Sequence, residues 1–458
     1  MHIDNTLTPK DLSPALEQFF ALAGPKILRL QKTWDPAQGT PVITRNGRYT
    51  TRGWTEWTQG FQYGCQLLQF DATSDEAFLI LGRKNTVARM ATHVSHTGVH
   101  DHGFNNVSTY GALLRLAGEG RIAESEDALQ FHALALKVSG AVQASRWTRV
   151  ADGSGFIHSF NGPHSLFVDT VRTCRVLLLA DRLGHTLMGE GDAKISLLDR
   201  AMQHLRNTAR YSIFYGDGRD VYDLRGRTAH ECLFDTTNGA YRCPATQQGY
   251  APFSTWTRGL AWAILGFAET LEYFNALPKK AWSPYAPRED FPALLQKAAQ
   301  ATADFYLQHT PLDGIPYWDT GAPGLARMGD YLNRPAEPDN PHEPVDSSAA
   351  AIAAQGLLRL GKILGKRAGA RYTQAGLGVA RSLFAAPYLA ESPKHDGLLL
   401  HSVYHRPNGW DHIPKGKHVP YGESSLWGDY HAMELAVYLQ RLVQQSTYLD
   451  FFSHIPPR

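Results

Sequence analysis

The stretch Asp346-Ser-Ser-Ala-Ala-Ala-Ile-Ala-Ala-Gln-Gly-Leu-Leu358 decides the fold of this chain. It opens with residues that favour a helix N-cap and continues as a helical segment without a polar face. Small side chains surround about two turns of this segment: Ala349, Ala350, Ala351, Ala353 and Ala354. A helix that is apolar on every side is buried on every side. The stretch therefore predicts an inner helix that neighbouring helices approach closely.

Composition and charge exclude several classes of protein. The 458 residues carry a formal net charge of +2, which gives no electrostatic footprint for nucleic acid or an anionic membrane. No apolar run reaches the roughly 18 residues of a membrane span, and Met1-His-Ile-Asp-Asn-Thr6 lacks a secretory signal pattern. The four cysteines show no CxxC spacing. We therefore expect a cytoplasmic protein, and its 11% aromatic content favours a sugar or other ring-shaped ligand.

Helical periodicity dominates the sequence, and strand-like alternation is scarce. The pattern predicts twelve long helices that start near Leu12, Trp54, Asp75, Gly103, Ile122, Leu166, Asp192, Ser254, Asp290, Asp346, Ala368 and Ser425. The odd-numbered helices are amphipathic, whereas the even-numbered ones are far less polar. This alternation predicts an outer ring of helices around an inner ring.

The lengths of the connections support the two-ring interpretation. Long segments precede the inner helices, for example 35–53, 145–165 and 211–253, whereas the connections after them are mostly short. Long loops in a compact domain are usually functional. We predict an all-α fold, an (α/α)6 barrel that forms a single domain over residues 1–458, with the long loops over the N-termini of the inner helices. The alternative is an open α-solenoid.

Two aspartates stand at predicted N-termini of inner helices, in His100-Asp101-His-Gly-Phe104 and in Ser165-Leu-Phe-Val-Asp169-Thr. In one interpretation, each aspartate caps its helix or complements the helix dipole. In the other, Asp101 and Asp169 are paired catalytic carboxyls. Burial and a second carboxylate raise the pKa of a carboxyl group, so a close pair keeps one member protonated near neutral pH.

Arg258 is placed in the first turn of a helix, against the macrodipole, and a guanidinium there usually holds an anion. That anion is either a carboxylate of the protein or a carboxylate of the substrate, and Trp262 falls on the same helix face. Further tryptophans near the same rim are either core residues or stacking platforms for a sugar: Trp57, Trp256, Trp318 and Trp427. The histidines His100, His204 and His230 are too scattered to indicate a metal site.

Together these motifs resemble glycoside hydrolase family 88, the unsaturated glucuronyl hydrolases. The matching motifs are Trp57-Thr-Gln-Gly-Phe61, His100-Asp101-His-Gly-Phe104, Phe167-Val-Asp169-Thr, Gln248-Gly-Tyr250, Trp256-Thr-Arg258-Gly-Leu-Ala-Trp262, Pro316-Tyr-Trp-Asp319, Asp346-Ser-Ser-Ala-Ala-Ala and Trp427-Gly-Asp429-Tyr430. They span nearly the whole chain, and the family fold is an (α/α)6 barrel. The resemblance thus implies the fold that the helix pattern predicts.

The resemblance also implies a reaction. The family removes a 4,5-unsaturated uronic acid from the non-reducing end of di- or oligosaccharides that polysaccharide lyases produce. Asp169 matches its acid/base residue, which protonates C4 and assists attack of water at C5, and Asp101 matches its second aspartate. By the same resemblance, the unsaturated sugar is held by Trp57, His100, His204, Gln248, Arg258 and Trp262. We expect no metal or other cofactor. We expect a monomer or a small homo-oligomer.

Some residues depart from the family pattern, namely His102, Phe160 and the long segment 211–245. These departures bear on the preference for the leaving sugar rather than on the reaction. Two other functions fit the same fold. One is a sugar epimerase or isomerase, in which histidines shuttle the proton, and the other is a non-catalytic sugar-binding toroid.

Overall fold

The structure, a computed structural model that describes residues 1–53 and 55–455, contains twelve long helices that alternate between outer and inner positions. The outer helices are α1 (Ser13–Thr33), α3 (Glu76–Arg89), α5 (Glu126–Ser145), α7 (Leu197–Asn207), α9 (Phe291–Gln308) and α11 (Ala370–Leu383). The inner helices are α2 (Gln59–Thr73), α4 (His102–Asn105, Val107–Gly111 and Ala112–Gly118), α6 (Thr170–Thr173 and Arg175–Arg182), α8 (Thr257–Ala276), α10 (Ser347–Ala368) and α12 (Leu426–Gln444). Short helices Ala91–Val94 and Lys279–Trp282 lie in connections.

The six inner helices form a closed ring. Each contacts the next in chain order, from α2 to α4 and onward to α12, and α12 packs back against α2. The outer helices pack on this ring, as α11 does on α10 and α9 on α8. The predicted (α/α)6 barrel is confirmed, and the open solenoid is wrong because the last inner helix contacts the first. No helix within residues 1–53 and 55–455 is long and apolar enough to cross a membrane.

The predicted helix starts agree with the structure to within a few residues, with three exceptions. The start predicted near Asp192 is wrong, because Lys194–Ile195 is a β-strand and the helix begins at Leu197. The start predicted near Leu166 is wrong, because Ser165–Phe167 is a β-strand and the helix begins at Thr170. The start predicted near Trp54 falls on a residue outside the described part of the chain, and α2 begins at Gln59.

The long connections contain short strands that the sequence pattern did not predict. The strands are β1 (Pro41–Arg45), β2 (Arg48–Thr51), β3 (Trp147–Arg149), β4 (Gly155–Ile157), β5 (Ser165–Phe167), β6 (Leu187–Met188), β7 (Lys194–Ile195), β8 (Glu231–Phe234) and β9 (Tyr241–Ala245). They pair antiparallel as β1-β2, β3-β4, β6-β7 and the three-stranded sheet β5-β8-β9. This last sheet contributes to a small second core that includes Phe156, Leu166 and Cys232. It fixes the segment that leads into α6.

Glycines allow the inner helices to touch at every junction of the ring. A β-carbon at Gly103 of α4 would lie 2.1 Å from the carbonyl oxygen of Thr173 in α6. A β-carbon at Gly356 of α10 would lie 2.7 Å from the backbone nitrogen of Leu265 in α8. Glycines also lie at the other four junctions: Gly60 (α2–α4), Gly266 (α6–α8), Gly64 (α12–α2) and Gly428 (α10–α12). At Gly428 the contact is looser, since an added β-carbon would lie 3.2 Å from Cβ of Ser348 in α10. Larger side chains at these positions would push the helices apart.

Buried ion pairs connect the inner helices midway along the barrel. Arg172 of α6 is fully buried, and its Nε lies 3.0 Å from Oε2 of Glu269 in α8. Its Nη2 lies 2.7 Å from Oε2 of Glu434 in α12. Such pairs remain favourable only with good geometry, since removing one partner leaves an uncompensated buried charge. The network therefore links three helices that are distant in sequence.

The glycine contacts predict a position-specific effect of adding one methyl group. Gly103→Ala should lower the free energy of unfolding by about 3 kcal/mol, because the methyl meets backbone atoms that cannot move aside. Gly378→Ala in outer helix α11 is the matched control: it faces open space, and alanine is the better helix former. The control should therefore raise stability by about 0.5–1 kcal/mol. Urea unfolding measures both, and equal effects would contradict the close-contact account.

Candidate active site

A cleft of about 560 Å³ lies over the N-terminal ends of the inner helices. Its walls come from the starts of α2, α4, α6 and α8 and from the long segments before α8 and α12. The lining residues are Arg52, Thr55, Glu56, Trp57, Val99, His100, Asp101, Phe104, Phe160, Phe167, Asp169, Gln247, Gln248, Trp256, Arg258, Trp262, Tyr404, His405, Asn408 and Trp410. Flat aromatic rings beside a few convergent polar groups are typical of a sugar-binding site.

Asp101 and Asp169 both lie in this cleft at N-cap positions, yet neither side chain caps its helix. Asp346, at the start of α10, shows the ordinary behaviour, since its carboxylate accepts hydrogen bonds from the backbone N–H groups of Ser348 and Ala349. The capping interpretation of Asp101 and Asp169 is therefore wrong. Their carboxyl groups are largely buried and remain available to a molecule in the cleft.

His100 lies between the two aspartates. Its Nε2 is 3.1 Å from Oδ1 of Asp169 and 3.8 Å from Oδ1 of Asp101. Its Nδ1 accepts a hydrogen bond from the backbone N–H of Phe160 at 3.3 Å, which requires a lone pair on that nitrogen. In this geometry Nε2 carries the ring proton and donates a hydrogen bond to Asp169. The imidazole is thus hydrogen-bonded to Asp169 and lies within ion-pair distance of Asp101.

The protonation states of the two carboxyls differ. Burial raises the pKa of Asp101, and the charge of Asp169 adds to this, while His100 offsets only part of it. Burial also raises the pKa of Asp169, but the interaction and hydrogen bond with His100 outweigh it, so the net shift is downward. For His100, burial lowers the pKa and the two aspartates raise it by more. As expected for a close pair, one carboxyl holds a proton more readily, and that one is Asp101.

Arg258 is fully buried, and the protein itself satisfies its guanidinium. Nη1 lies 3.0 Å from Oδ2 of Asp346 and also donates to the carbonyl oxygen of Val403. Nη2 donates to Oε1 of Gln248 at 2.7 Å and to the carbonyl oxygen of Tyr404 at 2.8 Å. Of the two interpretations of this arginine, the structure supports the internal anion. Arg258 lines the cleft, but its guanidinium orients Gln248 and the segment before α12 and is not free to bind a ligand carboxylate.

The tryptophans divide into two groups. Trp57 and Trp262 line the cleft as predicted, and the ring of Trp262 lies 4.8 Å from that of Phe104. Trp427 is completely buried behind Trp57, with ring centroids 5.2 Å apart. Trp256 and Trp410 also line the cleft. Trp318 is buried, and its Nε1 donates a hydrogen bond to Oε2 of Glu343. The stacking interpretation fails for Trp318 and Trp427, and the sequence analysis missed Trp410.

His204 is not among the residues that line the cleft, which corrects its predicted contact with the sugar. Its ring is fully buried; Nδ1 accepts the backbone N–H of Ile157 at 3.1 Å, and Nε2 lies 3.3 Å from Oγ1 of Thr208. Burial lowers the pKa of His204 to about 3, so the ring is neutral. It holds strand β4 in place, behind the site.

His230, which sequence reasoning did not assign to the sugar, packs against two residues that line the cleft, although it is not itself a lining residue. Its Nδ1 accepts the backbone N–H groups of Gln247 and Gln248 at 3.1 and 3.3 Å, so the proton is on Nε2. Among the described residues, that buried Nε2 has no hydrogen-bond partner. The ring lies 4.5 Å from that of Phe167 and 4.6 Å from that of Trp256, both of which line the cleft. Only the pairing of β8 with β5 brings this loop histidine to the site.

The part of the chain that the structure describes contains no group of three or more His, Cys, Asp or Glu side chains arranged to hold a metal ion. The Nε2 of His100 contacts Asp169, whereas the Nδ1 of His230 accepts a hydrogen bond from the backbone N–H of Gln247. The fold and the cleft therefore define an (α/α)6-barrel protein with a carboxyl–imidazole–carboxyl site walled by aromatic rings.

Comparison with known proteins agrees with this class. No protein-family model matches the chain. The chain is 26% identical over 440 residues to an unsaturated chondroitin disaccharide hydrolase of Streptococcus pyogenes serotype M1, covering 94% of this chain and 92% of the relative. A crystal structure of an unsaturated glucuronyl hydrolase from Bacillus sp. GL1, responsible for the degradation of glycosaminoglycan, superposes with a TM-score of 0.69 at 23% identity, covering 93% of this chain and 97% of the other.

A mutant unsaturated glucuronyl hydrolase from Streptococcus agalactiae, complexed with dGlcA-GalNAc6S, gives a TM-score of 0.64 at 21% identity. That match covers 96% of this chain and 94% of the other. The solved structures establish a shared fold, and the curated relatives extend the likeness along the sequence. The resemblance to the unsaturated glucuronyl hydrolases is confirmed by this similarity in sequence and fold.

The surroundings of Arg258 predict that Arg258→Lys destabilises the protein. An ammonium group cannot reach the four acceptors that the guanidinium holds, so Asp346 is left poorly compensated in a buried position. We expect the free energy of unfolding to fall by about 2–4 kcal/mol in urea unfolding. Arg381→Lys, at an exposed pair with Asp4, is the control and should cost less than about 0.5 kcal/mol. Unchanged stability with lost sugar binding would instead support a substrate-carboxylate role.

Proposed function

We propose that this chain is a glycoside hydrolase that releases the 4,5-unsaturated uronic acid from the non-reducing end of lyase-generated oligosaccharides. The observation that carries the proposal is the pair of non-capping aspartates joined by His100 at the bottom of an aromatic cleft. The similarity to proteins named for this activity supports it independently. The substrate is an unsaturated uronyl di- or oligosaccharide.

The proposed reaction is hydration of the C4=C5 double bond. Asp169 delivers a proton to C4, and water adds to C5 with Asp169 acting as base, which forms a hemiketal. The hemiketal opens, C5 becomes a ketone, and the hemiacetal left at C1 releases the next sugar with its own oxygen. In the free protein the pKa of Asp101 is raised and that of Asp169 is lowered, so Asp101 takes up a proton more readily than Asp169. We propose that the pair titrates as one unit and passes this proton to Asp169.

His100 is placed to assist the transfer. Its Nε2 lies within 3.1 Å of Asp169 and 3.8 Å of Asp101, so a small movement of the ring changes which carboxyl it serves. The entry of an anionic sugar raises the pKa of nearby carboxyls, which favours protonation of Asp169 in the complex. Asp101 in this proposal stores the proton and Asp169 uses it.

The other proposed contacts hold the sugar ring. Trp57 and Trp262 supply flat faces, and Gln248, whose Oε1 is occupied by Arg258, presents its amide N–H groups. We propose that His230, with an unpaired Nε2 proton, takes the place first assigned to His204. The similarity to proteins named for hydrolysis of unsaturated saccharides supports this function over a sugar epimerase or isomerase and over a non-catalytic sugar-binding toroid.

Three broader features stay part of the proposal. The four cysteines are free thiols, which supports a reducing cytoplasmic environment. The closed helical ring supports a single domain over residues 1–458. A monomer or a small homo-oligomer likewise remains part of the proposal.

The test is loss of the ultraviolet absorbance of the double bond when the protein is incubated with unsaturated disaccharides. Asp169→Asn should reduce the turnover number by roughly 10³–10⁴-fold, since an amide cannot deliver a proton, while calorimetry still detects binding. The control is Asp127→Asn, at an exposed position of α5. This variant should keep wild-type turnover. Retention of more than about a tenth of wild-type turnover by Asp169→Asn would refute the assigned role.

A further inference from the structure

The cleft contains a third carboxyl group, that of Glu56, which the proposed reaction does not use. Glu56 precedes α2 and is half-buried in the cleft wall. Its Oε1 accepts a hydrogen bond from the backbone N–H of Trp57 at 2.9 Å. Within residues 1–53 and 55–455 it forms no salt bridge, so no side chain of the described structure neutralises it at contact distance.

Glu56 lines the same cleft as the two aspartates, next to Trp57. Its charge interacts with Asp101 and with Arg52 at the exposed rim, and it also acts on Tyr404. Arg52 is itself held at the rim, since its Nη2 donates to the carbonyl oxygen of Trp410 at 2.7 Å and its guanidinium lies 4.9 Å from the centre of that ring. A saccharide with its unsaturated ring at the aspartates would extend along this cleft, and Glu56 is one of the side chains that can meet its adjoining sugar.

Among the lining side chains, few cations are free to offset the charge of Glu56. Of the lining cations, Arg258 is neutralised by Asp346, which leaves exposed Arg52. Lys417, on the segment before α12, is engaged by both carboxylate oxygens of Asp339 at 2.6 and 2.7 Å. Glu56, Asp101 and Asp169 are all less exposed than Arg52, and charges in contact with solvent are screened more strongly. A second anionic group beside Glu56 thus meets a carboxylate that, among the lining side chains, only the exposed Arg52 opposes.

We propose that Glu56 is a specificity-determining residue that selects unsaturated uronyl saccharides whose adjoining sugar carries no anionic substituent. This inference rests on the proposed function, because it assumes that the unsaturated ring occupies the aspartate pair. The carboxylate of Glu56 accepts hydrogen bonds from neutral hydroxyl groups of the adjoining sugar and repels a sulfate or carboxylate at the same place.

The selection should depend on pH. Burial raises the pKa of Glu56 to about 7, with a further increase from Asp101, while the N–H of Trp57 and the charge of Arg52 act in the opposite direction. The carboxyl is therefore mostly neutral at pH 6 and mostly ionised at pH 8. Discrimination against an anionic adjoining sugar should be weaker at pH 6 and stronger at pH 8.

The test compares kcat/KM for an unsulfated and a sulfated unsaturated disaccharide of the same linkage, at both pH values. At pH 8, Glu56→Gln should lower the ratio of unsulfated to sulfated kcat/KM roughly fivefold, the effect of removing one partly screened charge nearby. The variant should also lose the change in this ratio between pH 6 and pH 8. Glu190→Gln, at an exposed position on the outer hairpin β6-β7, removes the same charge elsewhere and should behave as wild type.

A ratio in Glu56→Gln within twofold of wild type at both pH values would overturn the inference. A general loss of kcat through an effect on Asp101 lowers both substrates equally and leaves the ratio unchanged, so it is not mistaken for selection. If the wild-type protein bleaches neither disaccharide, the proposed function fails. The selection is then decided by calorimetric Kd values for the same two ligands, where an unchanged Kd ratio in Glu56→Gln again overturns it.

Discussion

The structure depends on how closely the inner helices approach one another. At each of the six junctions a glycine faces the neighbouring helix, and at Gly103 an added β-carbon would come within 2.1 Å of a backbone oxygen. This contact lets the ring close, and closure brings the N-termini of all the inner helices to one face. The carboxyl groups of Asp101 and Asp169, from α4 and α6, reach the same imidazole because those two helices touch at Gly103.

The fold and the candidate site are connected by one buried ion pair. Asp346 caps α10, the helix of the apolar stretch that decides the fold, and also binds Arg258 at 3.0 Å. Arg258 in turn orients Gln248 and the backbone of the segment that carries Trp410. Asp346 therefore both caps α10 and supports the cleft wall through Arg258. Deeper in the barrel, Arg172 ties α6 to α8 and α12 in the same way.

Most of the fold was predictable from the sequence, because the alternation of amphipathic and apolar helices reports which ones are buried. Asp101 and Asp169 were predictable for a related reason, since polar residues before an apolar helix end up on its rim. In the long loops, the sequence has no periodic pattern that shows which way a side chain points. The short strands β5 and β8 were missed, and with them the packing of His230 against Phe167 and Trp256 of the cleft wall. The partner of Arg258 also follows only from ring closure, which juxtaposes α8 and α10.

The central claim is that the chain adds water across C4=C5 rather than cleaving the glycosidic bond at C1. Reaction in D₂O with an unsaturated disaccharide, followed at early times by proton NMR, tests it directly. The account predicts loss of the vinylic C4 proton signal and carbon-bound deuterium at C4 of the released acid. A released sugar that keeps its C4=C5 double bond and carries no deuterium at C4 would contradict it.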